Sequence, residues 1–263
     1  MQIITDSWIS STTGYGILQD LFTDAARNVP DDYVRRPWSY PGLDHGKAVL
    51  TTDAQLDCYV HAYGLMHVYK MWKALEHLPL ADVMDGFEII DWGCGQAIAT
   101  LTLLALLERQ SPMPATPRRI VLLDLSPYAL CRAKNLVERG LCSRGVDIEA
   151  VQTDLAAARC SAKASQYTPP MVIHLLSNII DVPKVRISAM ADVISTSQSK
   201  SYVFCAGHCK TDTYAMDFSQ HLEHRGALLL HRENVECGAV LPTGKPFGWD
   251  ITVMQCDSAA KAA

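Results

Sequence analysis

Residues 88–100, Glu88-Ile-Ile-Asp-Trp-Gly-Cys-Gly-Gln-Ala-Ile-Ala-Thr100, pass from an apolar run through an acid and two closely spaced glycines into small helix-forming residues. A short apolar strand, a glycine turn and a helix in that order is the opening unit of an open α/β sheet. Nucleotide-like ligands bind at the carboxyl edge of such a sheet. A dinucleotide site asks for G-x-G-x-x-G, and Ile98 stands where the third glycine belongs. Asp91 would also face a pyrophosphate with like charge, and no Lys or Arg in the loop offsets it. A cationic ligand without phosphates turns the same carboxylate into an attraction.

The rest of the chain supports this placement. Its 263 residues are 49% hydrophobic, enough for a sizeable core. The net charge of -5 gives no global field for a polyanion. Nine cysteines without C-x-x-C pairs, and a start that lacks the pattern of a secretory signal, lead to the expectation of a reducing, cytoplasmic setting. No run approaches the roughly 18 apolar residues of a membrane span, so no membrane association is expected. From Phe87 on, apolar runs alternate with helix-period segments: FEIIDW, a helix over Ala97 to Glu108, RIVLLDL, a helix over Pro127 to Arg139, VDIEAVQTD, PMVIHLLS and SYVFCAG. A helix near Asp212 to His224 and two terminal runs, GALLLHREN and WDITVMQC, complete it. The pattern predicts an α/β fold with a seven-stranded, mostly parallel sheet, helices on both faces and a closing hairpin. Residues 1–85 form the expected N-terminal helical cap and 86–258 the ligand-binding domain. Within the cap, VRRPWSYPGLDHG interrupts the helical pattern, and a long helix follows with Thr51, Thr52 or Asp53 as its cap.

With Asp91, Gly93, Gly95 and Ala97 in the order acid-x-Gly-x-Gly-x-Ala, the segment resembles the glycine motif of class I S-adenosylmethionine-dependent methyltransferases. The resemblance covers Phe87 to Cys256. It implies S-adenosylmethionine as cofactor, with the loop Gly93, Cys94, Gly95, Gln96 and Ala97 lining it. Asp124, ending the second strand, is similar to the family's ribose-binding acid, with Leu125 under the adenine. Asp154 and Leu155 match the adenine-contacting pair after the third strand. Ser177 and Asn178 end the fourth strand, beside the transferred methyl. The implied activity is methyl transfer by in-line displacement to an acceptor that is a small molecule, a protein or RNA. The alternative is a cofactor-binding but catalytically silent partner subunit or ribosome-associated factor, for which a partner protein is expected.

Other readings stand beside these. Asp91, Asp124 and Asp154 could be helix caps, and Ser177 with Asn178 a simple turn. Cys94 reads as a packing residue rather than a nucleophile. Tyr59, Tyr63 and His67 recur at helical spacing with Lys70 near the same face, which fits either core packing or a roof over the cofactor. As a roof, His67, Tyr63 and Asn178 become the catalytic candidates, with His67 or His208 as a general base. Arg35, Arg36, Trp38 and Tyr40 read as a solvated loop or an acceptor site. Cys205, His208, Cys209, His221 and His224 have the wrong spacing for a zinc knuckle, and no metal is expected. Strand four carries LLSNIID, without the Asn/Asp-Pro-Pro-aromatic signature of base-amine methylation and without a Pro-Cys pair.

Overall fold

Five apolar runs rich in β-branched residues form parallel strands: β1 (Glu88–Trp92), β2 (Arg119–Asp124), β3 (Asp147–Gln152), β4 (Met171–Ser177) and β5 (Lys200–Gly207). Two longer strands, β6 (Leu228–Val240) and β7 (Pro246–Cys256), close the sheet in the order β3-β2-β1-β4-β5-β7-β6. β7 runs antiparallel between β5 and β6, so the hairpin read from the sequence is present. The structure is a computed structural model and describes residues 13–83, 86–110, 114–141, 144–155, 169–179, 187–209, 212–241 and 246–257.

Strand order reverses between β1 and β4, which opens a crevice at their carboxyl ends. The helices α4 (Ile98–Gln110) and α5 (Pro127–Leu141) return the chain on one face of the sheet. On the other face lie α6 (Ile187–Ser195) and α7 (Asp212–Glu223). α6 was not expected from the sequence: its nine residues, ISAMADVIS, are rich in Ser, Val and Ile, which are weak helix formers. The parallel β4-to-β5 crossover nonetheless needs such an element.

Among the described residues, the N-terminal region is helical. α1 (Thr13–Asn28) is followed by 3-10 turns at Asp31–Tyr33, Pro37–Ser39 and Asp44–Gly46, then by α2 (Asp53–Tyr59) and α3 (Leu65–Leu75). Thr52 is the cap, its hydroxyl accepting from the Gln55 N–H at 3.2 Å. α2 and α3 are one helical run with a π turn over Val60–Gly64. Gly64 lets α1 approach there, since a Cβ would lie 2.5 Å from the Phe22 ring. Met71, Ala74 and Leu75 are buried in the same core as Leu101 and Phe204, so the cap and the sheet share one apolar interior. Asp82 accepts from Lys200 at 2.7 Å and from the Tyr202 hydroxyl, which fastens the connecting segment to β5. In the proline-rich segment Tyr33 and Tyr40 pack edge to face at 4.9 Å, against a cluster that includes Leu43, Leu50 and Leu56. Among the described residues no helix is long and apolar enough to cross a membrane.

The β6–β7 hairpin depends on close backbone approach at a bulge between Val235 and Ala239. A Cβ on Gly248 would stand 2.1 Å from the Val235 carbonyl oxygen and 2.4 Å from that of Glu236. Gly248→Ala is therefore expected to destabilise the fold by about 3 kcal/mol, at the upper end of overpacking costs. Thermal unfolding checks this, and a melting temperature equal to wild type would show that the hairpin tolerates the methyl group.

Candidate functional site

The glycine turn after β1 is built from three left-handed residues, Gly93 (φ 64), Gly95 (φ 52) and Ala97 (φ 60). Only two of them are glycine, so Ala97, fully buried, holds a conformation costing about 1–2 kcal/mol. Each glycine has its own reason. A Cβ on Gly93 would lie 2.5 Å from Ile179, which follows Asn178 and presses on the turn. A Cβ on Gly95 would meet nothing within 4 Å, because its backbone faces open space. That open, side-chain-free backbone is where a ligand can approach closely.

Two carboxylates hold the turn. Asp124 ends β2 and accepts from the Gly95 N–H and the Ser126 N–H, each at 2.8 Å. The long loop before β2 therefore leaves Asp124 in contact with the glycines. Burial raises its carboxyl above the usual carboxylate range, and these backbone donors work against that shift. Asp91 is 1% exposed; its Oδ2 accepts from the Thr100 hydroxyl at 2.7 Å and the Thr100 N–H at 3.3 Å. Its Oδ1 is buried without a hydrogen-bond partner. Burial pushes Asp91 up to about 7, with the Asp124 charge adding to the shift. Cys94, buried beside both acids, has its thiol pushed well up, so it is an inert packing group.

The cap is fastened to this turn. Gln96 was expected to line the cofactor, but its side chain turns inward: Nε2 donates to the Leu56 carbonyl at 2.9 Å, and Oε1 accepts from Arg132 at 3.2 Å. Arg132 is in turn engaged by Asp57 and by Asp53 at 2.9 Å. The Ser126 hydroxyl donates to the Leu50 carbonyl. These contacts bring α2 over the ends of β1 and β2.

The aromatic stripe then meets the end of β4. His67 Nε2 lies 3.2 Å from the Tyr59 hydroxyl, and Nδ1 lies 3.2 Å from Ser177 Oγ and 2.9 Å from Asn178 Nδ2. Lys70, fully buried, donates to Asn178 Oδ1 at 3.0 Å. Tyr63 packs against Tyr59, the rings tilted by 59° with centroids 5.4 Å apart. Tyr59, His67, Ser177, Asn178 and Lys70 thus form one hydrogen-bonded cluster, with the Tyr63 ring against Tyr59. As a base His67 is poorly suited: burial, with the Lys70 charge, lowers it to about 3. His208 lies exposed beyond β5, near Cys209. Leu125 is 43% exposed at the end of β2, while Asp154 and Leu155 line a hollow with Trp92, Met190 and Val193. Thr100 also shapes the site from within the same strand-turn-helix unit, while Ser126, Arg132 and Ile179 do so through contacts distant in sequence; no motif marks them.

No family model matches the sequence, and no curated protein matches it. Among solved structures, the chain is similar to a precorrin-6y C5,15-methyltransferase from Geobacter metallireducens, with 13% identity and TM-score 0.47, covering 72% of this chain and 87% of that one. It is also similar to a SAM-dependent methyltransferase from Leishmania major, with 12% identity and TM-score 0.46, covering 89% and 82%. A third is the magnesium protoporphyrin IX methyltransferase of Synechocystis with bound SAM, at 14% identity and TM-score 0.45, covering 95% and 99%. What those proteins bind and methylate is theirs alone at such identities.

The Asp91 environment has a consequence for stability. An unfolded Asp titrates near 4, and the folded group titrates at about 7. Its contribution is therefore full below pH 4 and is lost as pH rises through 7. Asp91→Asn keeps an acceptor for Thr100 and has no charge to desolvate. Relative to that variant, wild type is expected to lose about 4 kcal/mol of unfolding free energy between pH 4 and 8. Parallel denaturant titrations at both pH values check this, and a constant difference would mean that Asp91 is readily ionised in the fold.

Proposed function

We propose that the chain is an S-adenosylmethionine-dependent methyltransferase. The observation that carries this reading is the convergence of two carboxylates, buried Asp91 and half-buried Asp124, on a turn whose Gly95 backbone is open. Arg132, which reaches the turn through Gln96, is already engaged by Asp53 and Asp57. Such a site repels a pyrophosphate and favours a nucleoside that carries cationic groups.

On the resemblance, Asp124 takes the ribose hydroxyls, Leu125 and Leu155 flank the adenine, and Asp154 accepts from its amine. The open backbone at Gly95 receives the amino-acid portion, with Ser177 at the far side. The bound cofactor supplies a methyl group on a positively charged sulfur, open to in-line displacement without a covalent enzyme intermediate. The chain's own residues align the acceptor and exclude water. Tyr63, His67 and Asn178 do this from the roof, and His67, neutral at physiological pH, orients rather than removes a proton. Residues 1–85 act as the cap and 86–258 as the cofactor domain. Free cysteines, including Cys58, Cys94 and Cys205, fit a reducing cytoplasmic setting.

Calorimetric titration with S-adenosylhomocysteine across pH tests the reading. A cation near Asp91 favours its ionised form, so below pH 7 binding must expel a proton. Affinity is expected to fall by up to about tenfold per pH unit below 7 and to level off above it. Asp91→Asn is expected to bind weakly with no such slope. Asp124→Ala, which loses charge-assisted hydrogen bonds worth roughly 1.5–3 kcal/mol each, is expected to bind at least tenfold more weakly. Absence of saturable binding by wild type at millimolar ligand overturns the proposal.

A further inference from the structure

The four polar side chains of the roof form a chain whose direction the geometry settles. Lys70 has only N–H donors, so the Asn178 atom 3.0 Å from its Nζ is the carbonyl oxygen. The other end of that amide is then NH2, which donates to His67 Nδ1 at 2.9 Å and to Ser177 Oγ at 3.3 Å. A flipped amide would set NH2 against an ammonium, so the cation fixes the assignment. Because Nδ1 accepts, the ring hydrogen of neutral His67 is on Nε2, and it donates to Tyr59 Oη at 3.2 Å. The Tyr59 oxygen accepts that bond, which leaves its own O–H to point onward. Burial and the Asp124 charge keep that proton on the phenol. Asn178 is itself held still, in the left-handed region at φ 56, with its N–H on the Ala206 carbonyl at 2.6 Å.

We infer that Lys70 is a positioning residue which, through Asn178 and His67, sets the Tyr59 hydroxyl as a hydrogen-bond donor toward the cofactor beside Asp124. Every link points away from Lys70, and reversing one link reverses those beyond it. The inference rests on the proposed function only in naming the recipient; the direction of the chain is a property of the protein alone.

Asn178→Asp tests the direction at nearly constant size, and Asp also tolerates the left-handed backbone. A carboxylate there can only accept, so His67 must place a hydrogen on Nδ1, and the chain beyond it turns round. Nitrogen-15 spectra of histidine-labelled protein at pH 7, with His67 assigned by comparison with His67→Gln, read the ring directly. Wild type is expected to show a neutral ring with hydrogen on Nε2, and Asn178→Asp a ring with hydrogen on Nδ1. Lys70→Met, which frees the amide to flip, is expected to show a mixture. Melting curves confirm that each variant is folded before its spectrum is used. A wild-type ring with hydrogen on Nδ1, or identical spectra in wild type and a folded Asn178→Asp protein, overturns the inference.

The recipient is read separately. Tyr59→Phe is expected to weaken S-adenosylhomocysteine binding by about tenfold, the effect of one lost hydrogen bond. In the Asn178→Asp background, where the hydroxyl already points back to His67, the same change is expected to have no further effect. Equal affinity in wild type and Tyr59→Phe removes the cofactor as recipient and overturns that part of the inference. Failure of wild type to bind at all counts against the proposed function, while the ring spectra still decide the direction.

Discussion

Two carboxylates share one glycine turn, and much of the site depends on how each is satisfied. Asp124 is answered by two backbone N–H groups, which tie the end of β2 to the middle of the turn. Asp91 is answered on one oxygen only, by Thr100, and keeps the other buried without a partner. Like charges this close raise one another's proton affinity, and the less satisfied group yields first. The turn is therefore poised for positive charge and hostile to phosphate. The sheet supplies the position, since β1 and β2 end side by side at the switch in strand order.

Covering the site and holding it are one construction. The cap is joined to the turn by Gln96 on the Leu56 carbonyl, by Ser126 on the Leu50 carbonyl and by Arg132 on Asp53 and Asp57. Helix α2 is thereby fixed over the strand ends. The π turn at Val60–Gly64 then carries the helical run onward to His67 and Lys70, which meet the end of β4. A buried lysine so far from solvent needs strong hydrogen bonding to remain in place. Asn178 provides part of that bonding.

Much of this was legible in the sequence because it rests on local pattern. Apolar runs ending in Asp91, Asp124 and the Thr153-Asp154 pair mark strand ends whatever the tertiary structure, and the closing hairpin follows from two more such runs. Helix α6 was hidden because it spans only nine residues, several of them the weak helix formers Ser, Val and Ile. β6 extends well beyond the run GALLLHREN because pairing with β7 resumes past the bulge between Val235 and Ala239. At the site, spacing placed Tyr59, Tyr63 and His67 on one face but did not show what they face. The bond from Lys70 to Asn178 spans 108 residues, and that from Gln96 to Leu56 spans 40, in both cases without a motif. Position alone also suggested His67 as a base; only its burial beside Lys70 shows why it stays neutral.

The most direct test of the central claim, that paired carboxylates select a phosphate-free nucleoside carrying an ammonium group, is calorimetric titration of the whole protein at pH 8 with S-adenosylhomocysteine and, separately, with NAD. Saturable binding of the first with none of the second is the predicted result. Binding of NAD in preference to S-adenosylhomocysteine would contradict it, because the charge around Gly95 would then not decide what the turn accepts.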